Sequence, residues 1–264
     1  MTAAASPRTL PPPDPAPRVS PWTWVTVFSR LLAIQGSWNY ETLIGNGVGF
    51  CVEPALRSLP GGVHGKAFKE AMARESTYFN AHPYLASVAV GALARAELSG
   101  VPPERIERFR IALCGPLGSV GDQLVWAGWL PFSSLVSLIA FGLGARALAV
   151  VLLFLLLYNA GHLALRAWGL HVGWTRGLGV ASALGNPVLR RGPAHVARAA
   201  AAAAGVAIPL TVARVLGGGS SRLALVLVAG TATAVLLVRL HGRVEGWKLS
   251  LVLIALFALI SVAR

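Results

Sequence analysis

Cys114-Gly-Pro-Leu-Gly-Ser-Val-Gly-Asp-Gln-Leu-Val-Trp126 is a glycine-rich apolar stretch with one carboxylate inside it. Asp122 is the only charged residue between Arg110 and Arg146, and the only acidic one between Glu107 and Glu245. A carboxylate at membrane depth costs about 2.5–3.5 kcal/mol on insertion scales, so it faces a wet cavity or a partner. The glycines and Pro116 interrupt a smooth helix, and irregular backbone is tolerated in a bilayer only where protein or a cavity covers it. The stretch therefore predicts a polar site inside a membrane protein.

The rest of the chain agrees. It has 264 residues, of which 55% are hydrophobic and only 12% charged, with mean hydropathy +0.64; a soluble domain carries about 25% charged residues. The net charge is +13. Arg146, Arg166, Arg214, Arg222, Arg239 and Arg243 punctuate apolar runs rather than forming a stripe. That placement reads as headgroup anchoring at helix ends and argues against a nucleic-acid footprint. Cys51 and Cys114 have no metal-ligand or disulfide spacing.

The expected fold is all-α: a polytopic membrane protein with broken helices and a re-entrant hairpin, preceded by an amphipathic helix. Residues 1–18 read as a disordered Pro/Ala-rich tail, and 19–264 as one membrane domain. Ser20-Pro21 supplies an N-cap and first-turn proline. Trp22, Val25, Phe28 and Leu32 then recur at helical spacing, for a helix lying at the interface or packed on a partner. A polar helical stretch follows over 62–80, an apolar helix over 84–96, and a basic start at Pro102-Pro103. Membrane helices are expected over 122–143 and 147–165, with further candidates over 195–216, 223–240 and 247–262.

Two short segments join Asp122 as candidate chemistry. Gln35-Gly-Ser-Trp-Asn-Tyr-Glu41 places amide, carboxylate and aromatic groups in seven residues. That mixture suits a sugar, whose C–H faces stack on rings while its hydroxyls bond to polar side chains; a polar helix boundary reads the same way. Phe79-Asn80-Ala-His-Pro-Tyr84 is a second polar knot or simply a turn before a helix. Asp122 itself reads either as a ligand or as the N-cap of a half-helix. If 35–41 is a helix, Gln35 and Asn39 share a face and Glu41 points elsewhere, so the three converge only on a break near Gly36-Ser37. The six histidines are scattered, none paired at zinc spacing. His162 reads as a hydrogen-bonded core histidine before a proton relay. No P-loop, nucleophile elbow or cofactor motif is present, and neither a metal nor a cofactor is expected.

These motifs, followed by Gly49-Phe50, Pro54-Ala55-Leu56, Tyr158-Asn159, Arg166, Gly169 and Gly173, form a series that resembles the IID membrane subunit of mannose-family (mannose, fructose, sorbose) sugar phosphotransferase systems. The resemblance runs from about Phe28 to Leu184. It implies a multi-pass subunit of the bacterial inner membrane that pairs with a similarly folded IIC subunit, the pairs assembling as a trimer of heterodimers. It further implies inward sugar movement, with soluble IIA and IIB domains carrying phosphate on their own histidines, so that this chain is not itself catalytic. By the same resemblance Gln35, Asn39, Glu41 and Asn80 are candidate sugar ligands, and Asp122 belongs to a mobile hairpin beside them. The chain departs from the family at Gln123, where proline is usual, and in the short Gly217–Ser221 connection. A regulatory subunit that docks phosphocarrier domains without moving sugar shares every one of these motifs. An unrelated intramembrane enzyme using Asp122 and His162 is the third reading.

Overall fold

The structure is a computed structural model; it describes residues 18–180 and 187–215, with the backbone alone at 187–190. The expected 1–18 tail and the candidate spans over 223–240 and 247–262 lie outside these residues, apart from Arg18. Among the described residues there is no strand, and all regular structure is helical.

α1 (Pro21–Leu31) starts as the sequence predicts: the Ser20 hydroxyl accepts the Trp22 N–H at 3.3 Å, with Pro21 following the cap. Val27 and Leu31 are buried, while Trp22 and Val25 remain exposed. Trp24 meets Trp174 edge to face, with centroids 4.5 Å apart. The helix thus docks one face on the body and presents the other outward.

The centre of the molecule is α4 (Ala86–Leu98), in which every residue from Ala86 to Glu97 is buried. Its small side chains let α7 (Ala147–Arg176) approach at backbone distance. A Cβ on Gly91 would lie 2.4 Å from the Leu170 carbonyl oxygen, and one on Gly173 2.1 Å from that of Val88. Close approach through small residues is how membrane helices gain packing energy, since lipid supplies no hydrophobic drive between them.

α2 (Gly45–Leu56) packs on α1 and α4, and α3 (Lys66–Glu75) covers α2. The Arg74 guanidinium forks onto Glu97, both bonds 2.8 Å. Its neighbour Glu75 is fully buried and bonded to Arg110 of α5 (Pro103–Gly121). Burial pushes the Glu75 carboxyl upward, and the Arg110 charge opposes that shift. Arg110 also donates to the Thr77 carbonyl at 3.0 Å and lies 5.2 Å over the Phe79 ring. One buried guanidinium therefore fixes the whole Glu75–Phe79 segment.

The break expected around Gly115–Asp122 takes a different form. α5 passes through Pro116 and continues into a π segment (Asp122–Trp129) and α6 (Leu130–Gly142), a single helical run of 40 residues. Asp122 has helical dihedrals, φ −62° and ψ −44°, so it is an interior residue and not an N-cap. The wide turns end where the Leu130 N–H bonds to the Val125 carbonyl, five residues back. Pro131 follows at once and has no N–H to continue an ordinary ladder.

Among the described residues, three helical runs are long and apolar enough to cross a membrane: Pro103–Gly142, Ala147–Gly179 and Arg191–Val215. The last belongs to α8 (Pro187–Val215), which packs on α6 and the π segment. They answer to the expected spans over 122–143, 147–165 and 195–216, each beginning earlier or ending later. α7 does not stop at Leu165 but runs on to Arg176, because Gly169 and Gly173 make its packing surface against α4 rather than a break. Leu148, Val151, Leu152, Leu155 and Leu156 of α7 are exposed, as lipid-facing residues are.

Candidate functional site

After α1 the chain leaves the helical path at Leu31, earlier than the expected break at Gly36-Ser37, and runs through turns to Ile44. Asn39 organises this loop. Its Oδ1 accepts the N–H groups of Glu41 and Thr42, both at 2.9 Å. Its Nδ2 donates to the Thr42 hydroxyl at 2.8 Å and the Ser37 carbonyl at 3.2 Å. Leu43 takes a left-handed conformation, φ 50°, which costs a residue with a Cβ roughly 1–2 kcal/mol. The loop tolerates it because it is stitched on both sides. The Leu43 N–H bonds to the Asn39 carbonyl at 2.9 Å, the Phe79 N–H to the Thr42 carbonyl at 3.1 Å, and the Ile44 N–H to the Phe79 carbonyl at 3.2 Å. The two polar knots of the sequence are therefore one structure.

The second knot turns against α5. The His82 N–H reaches the Leu117 carbonyl at 3.4 Å. The turn and the exposed face of α5 line an open cleft of about 490 Å³, bordered among others by Asn80, His82, Gly118, Ser119, Asp122 and Gln123. Gln123 Nε2 donates to the Ser119 hydroxyl at 3.4 Å. Asn80 and Asp122, far apart in sequence, thus share one polar concavity. Gln35 and Glu41 do not line it; both are exposed on the adjoining loop, and the Asn39 side chain bonds within that loop, to its backbone and to the Thr42 hydroxyl. Trp38 and Tyr40 are exposed and meet edge to face at 4.8 Å.

Two residues outside the expected ligand set, His82 and Arg166, hold the site together. His82 is 2% exposed, and its Nδ1 accepts the Tyr84 N–H at 3.2 Å. Burial, reinforced by the Arg166 charge, pulls its pKa from 6.5 down to about 4. Arg166, expected as a headgroup anchor, is instead buried. It donates to the carbonyls of Leu31 and, at 3.3 Å, Pro83, with the Tyr84 ring 4.5 Å from its guanidinium carbon. It turns inward because those carbonyls lie at the end of α1, where the Ile34 N–H reaches Leu31 only at 3.5 Å, and in the 79–84 turn, and a guanidinium satisfies several acceptors at once. Around it, Tyr84 and Tyr158 share a hydroxyl hydrogen bond of 2.8 Å, and His162 Nε2 meets Asn159 Oδ1 at 2.9 Å. His162 is thus the hydrogen-bonded histidine of the first reading. His82 was marked only by standing two residues after Asn80, and Arg166 by its place in a motif.

Among the described residues no group of three His, Cys, Asp or Glu side chains is placed to hold a metal. What the fold and site define is an all-α integral membrane protein with a polar cavity against a membrane helix. The chain belongs to the mannose/fructose/sorbose family of phosphotransferase-system IID components, whose model matches residues 18–203. It is 32% identical over 171 residues to the mannose-specific EIID component of Escherichia coli K12, covering 62% of this chain and 59% of the relative. It is 31% identical over 175 residues to the sorbose-specific EIID component of Klebsiella pneumoniae, covering 63% and 61%. To the fructose permease IID component of Bacillus subtilis it is 30% identical over 158 residues, covering 58% and 56%. The chain thus spans about three fifths of the length of the curated relatives it matches. The fold is also that of two solved structures. One is described as the mannose transporter ManYZ with microcin E492, at TM-score 0.55 and 24% identity over 93% of this chain and 96% of that one. The other is described as a membrane protein, at TM-score 0.69 and 22% identity over 94% and 97%.

Proposed function

We propose that this chain is the membrane IID subunit of a phosphoenolpyruvate-dependent sugar phosphotransferase system in the bacterial inner membrane. With a IIC subunit it forms the pathway for a mannose-, fructose- or sorbose-type sugar, and IIA and IIB domains phosphorylate the sugar as it enters. The observation that carries the reading is the cavity joining Asn80 to Asp122, beside the loop that presents Gln35 and Glu41. A carboxylate and an amide in one concavity bond a sugar's hydroxyls as acceptor and donor.

The same face of α5 supports the need for a partner. A Cβ added to Gly115 or Gly118 meets nothing within 4 Å, while Asp122 is exposed on the same membrane helix. Open glycines beside a carboxylate suit a second subunit's helix, packed closely and supplying polar groups. Assembly of the resulting pairs as a trimer belongs to the same proposal. The test is phosphoenolpyruvate-dependent sugar uptake into membrane vesicles with and without this subunit. Uptake that requires it supports transport. Uptake that proceeds unchanged without it, while phosphocarrier domains still bind, favours the regulatory reading.

A further inference from the structure

The two segments that carry Gln35, Asn39, Glu41 and Asn80 are tied to each other at both ends. At one end the tie is backbone: the Phe79 N–H bonds to the Thr42 carbonyl at 3.1 Å and the Ile44 N–H to the Phe79 carbonyl at 3.2 Å. At the other end it is a side chain from α7. Arg166 Nη1 donates to the Leu31 carbonyl and, at 3.3 Å, to the Pro83 carbonyl. Gln35, Asn39 and Glu41 lie between the two ties on one segment, and Asn80 lies between them on the other. The Tyr84 ring packs 4.5 Å from the guanidinium carbon. Arg166 is 4% exposed and stands in Ala147–Gly179, a run long and apolar enough to cross a membrane. Among the described residues no carboxylate is within ion-pair distance of it. A buried cation without a counterion is strongly unfavourable, and ionisable side chains in membrane helices mark functional sites.

We infer that Arg166 is a positioning residue of the sugar site: without touching sugar, it sets the spacing between the 35–41 loop and the Asn80 turn through the Leu31 and Pro83 carbonyls. This role rests on the transport reading and deepens it. Releasing the Arg166 tie leaves the backbone tie at Phe79 in place, and α1 stays docked on α7 through Trp24 and Trp174. The fold therefore survives, while the ends of loop and turn next to α7 separate. The ligand groups are then no longer preorganised, and sugar has to order them as it binds, at a loss of affinity.

The test is a graded series, Arg166→Lys, Arg166→Gln and Arg166→Met, in vesicles holding the complete complex. Phosphoenolpyruvate-dependent uptake of mannose, fructose and sorbose gives KM and a maximal rate normalised to assembled subunit. Lysine keeps a cation with donors for both carbonyls, glutamine keeps a neutral donor, and methionine keeps neither. The expected result is KM raised about threefold for Arg166→Lys and about tenfold or more for Arg166→Gln and Arg166→Met, with the normalised maximal rate within about twofold of wild type. A merely structural arginine gives the opposite split: less assembled complex, with wild-type KM in what remains. That outcome overturns the inference and leaves the transport reading standing. Should the glutamine and methionine variants fail to assemble, Arg166→Lys decides alone, and an unchanged KM overturns the inference. If the wild-type complex takes up none of the three sugars, the transport reading fails and this inference falls with it.

Discussion

Gly121 lies directly against His82: a methyl group on Gly121 would be 2.1 Å from the His82 Cβ and 2.5 Å from its Cγ. The contact joins the helix bearing Asp122 to the turn bearing Asn80, and Gly121 and His82 are themselves buried. Gly121→Ala should force these elements apart, with an overpacking penalty of about 1–3 kcal/mol. Thermal unfolding of the detergent-solubilised complex should show the loss, with sugar affinity falling alongside. An unchanged midpoint and affinity would mean that the contact is looser than described.

The buried pair of Glu75 and Arg110 should behave asymmetrically. Removing one partner, as in Arg110→Met, leaves the buried Glu75 carboxyl without its hydrogen-bonded ion partner and should cost about 1–3 kcal/mol, whereas Glu75→Leu combined with Arg110→Met should recover most of it. Thermal unfolding of both single variants and the double variant checks this. Equal losses in all three would show that the pair's other hydrogen bonds, to the Thr77 carbonyl in particular, dominate.

Asn39 should act on binding through the loop. Asn39→Ala loses both the bonds its Oδ1 accepts and those its Nδ2 donates, and should weaken sugar binding by roughly 1–3 kcal/mol. Asn39→Asp keeps the Oδ1 acceptor for Glu41 and Thr42 and should be milder. Glu41→Ala tests direct contact from the same loop, and Trp38→Phe should be mild. Calorimetry separates these cases: equal losses for Asn39→Ala and Asn39→Asp would point to a direct Nδ2 contact with the sugar instead.

Acid should destabilise the fold through His82. Burial, with the Arg166 charge beside it, holds the native pKa at about 4 against 6.5 in the unfolded chain. Between those values the unfolded state binds the proton and the native state does not, so stability rises with pH across the window. The contribution is complete above about pH 6.5 and is lost as pH falls toward about 4. Unfolding midpoints measured from pH 7 to pH 4 should drop less steeply in His82→Phe than in wild type. Parallel curves would contradict the assignment.

The all-α membrane class was legible because composition and isolated charges report it directly: nothing else accounts for Asp122 alone between Arg110 and Arg146. Helix starts were legible wherever a cap and a proline coincide, as at Ser20-Pro21. Continuity was harder. Gly115, Gly118 and Pro116 read as breakers, yet a helix covered on one side carries a proline and widens to a π segment without parting. Arg166 was misread for a related reason: periodicity cannot distinguish an arginine that reaches lipid headgroups from one that turns inward to carbonyls at a helix end and a turn. Within the site, the meeting of Asn80 and Asp122 was implied by the family resemblance alone and not by the residue pattern, because Leu43, Phe79 and Leu117 join those segments through backbone bonds that side-chain patterns do not record.

A sugar pathway completed by this chain, as proposed, should require Asp122. The most direct test is the initial rate of phosphoenolpyruvate-dependent sugar uptake by vesicles containing the IIC partner and phosphocarrier domains, with wild type or Asp122→Asn at matched expression. Asn keeps the shape of the carboxylate and loses its charge. The expected result is normal assembly with IIC and uptake reduced to the level of vesicles lacking this subunit. Wild-type uptake by a well-assembled Asp122→Asn complex would contradict it.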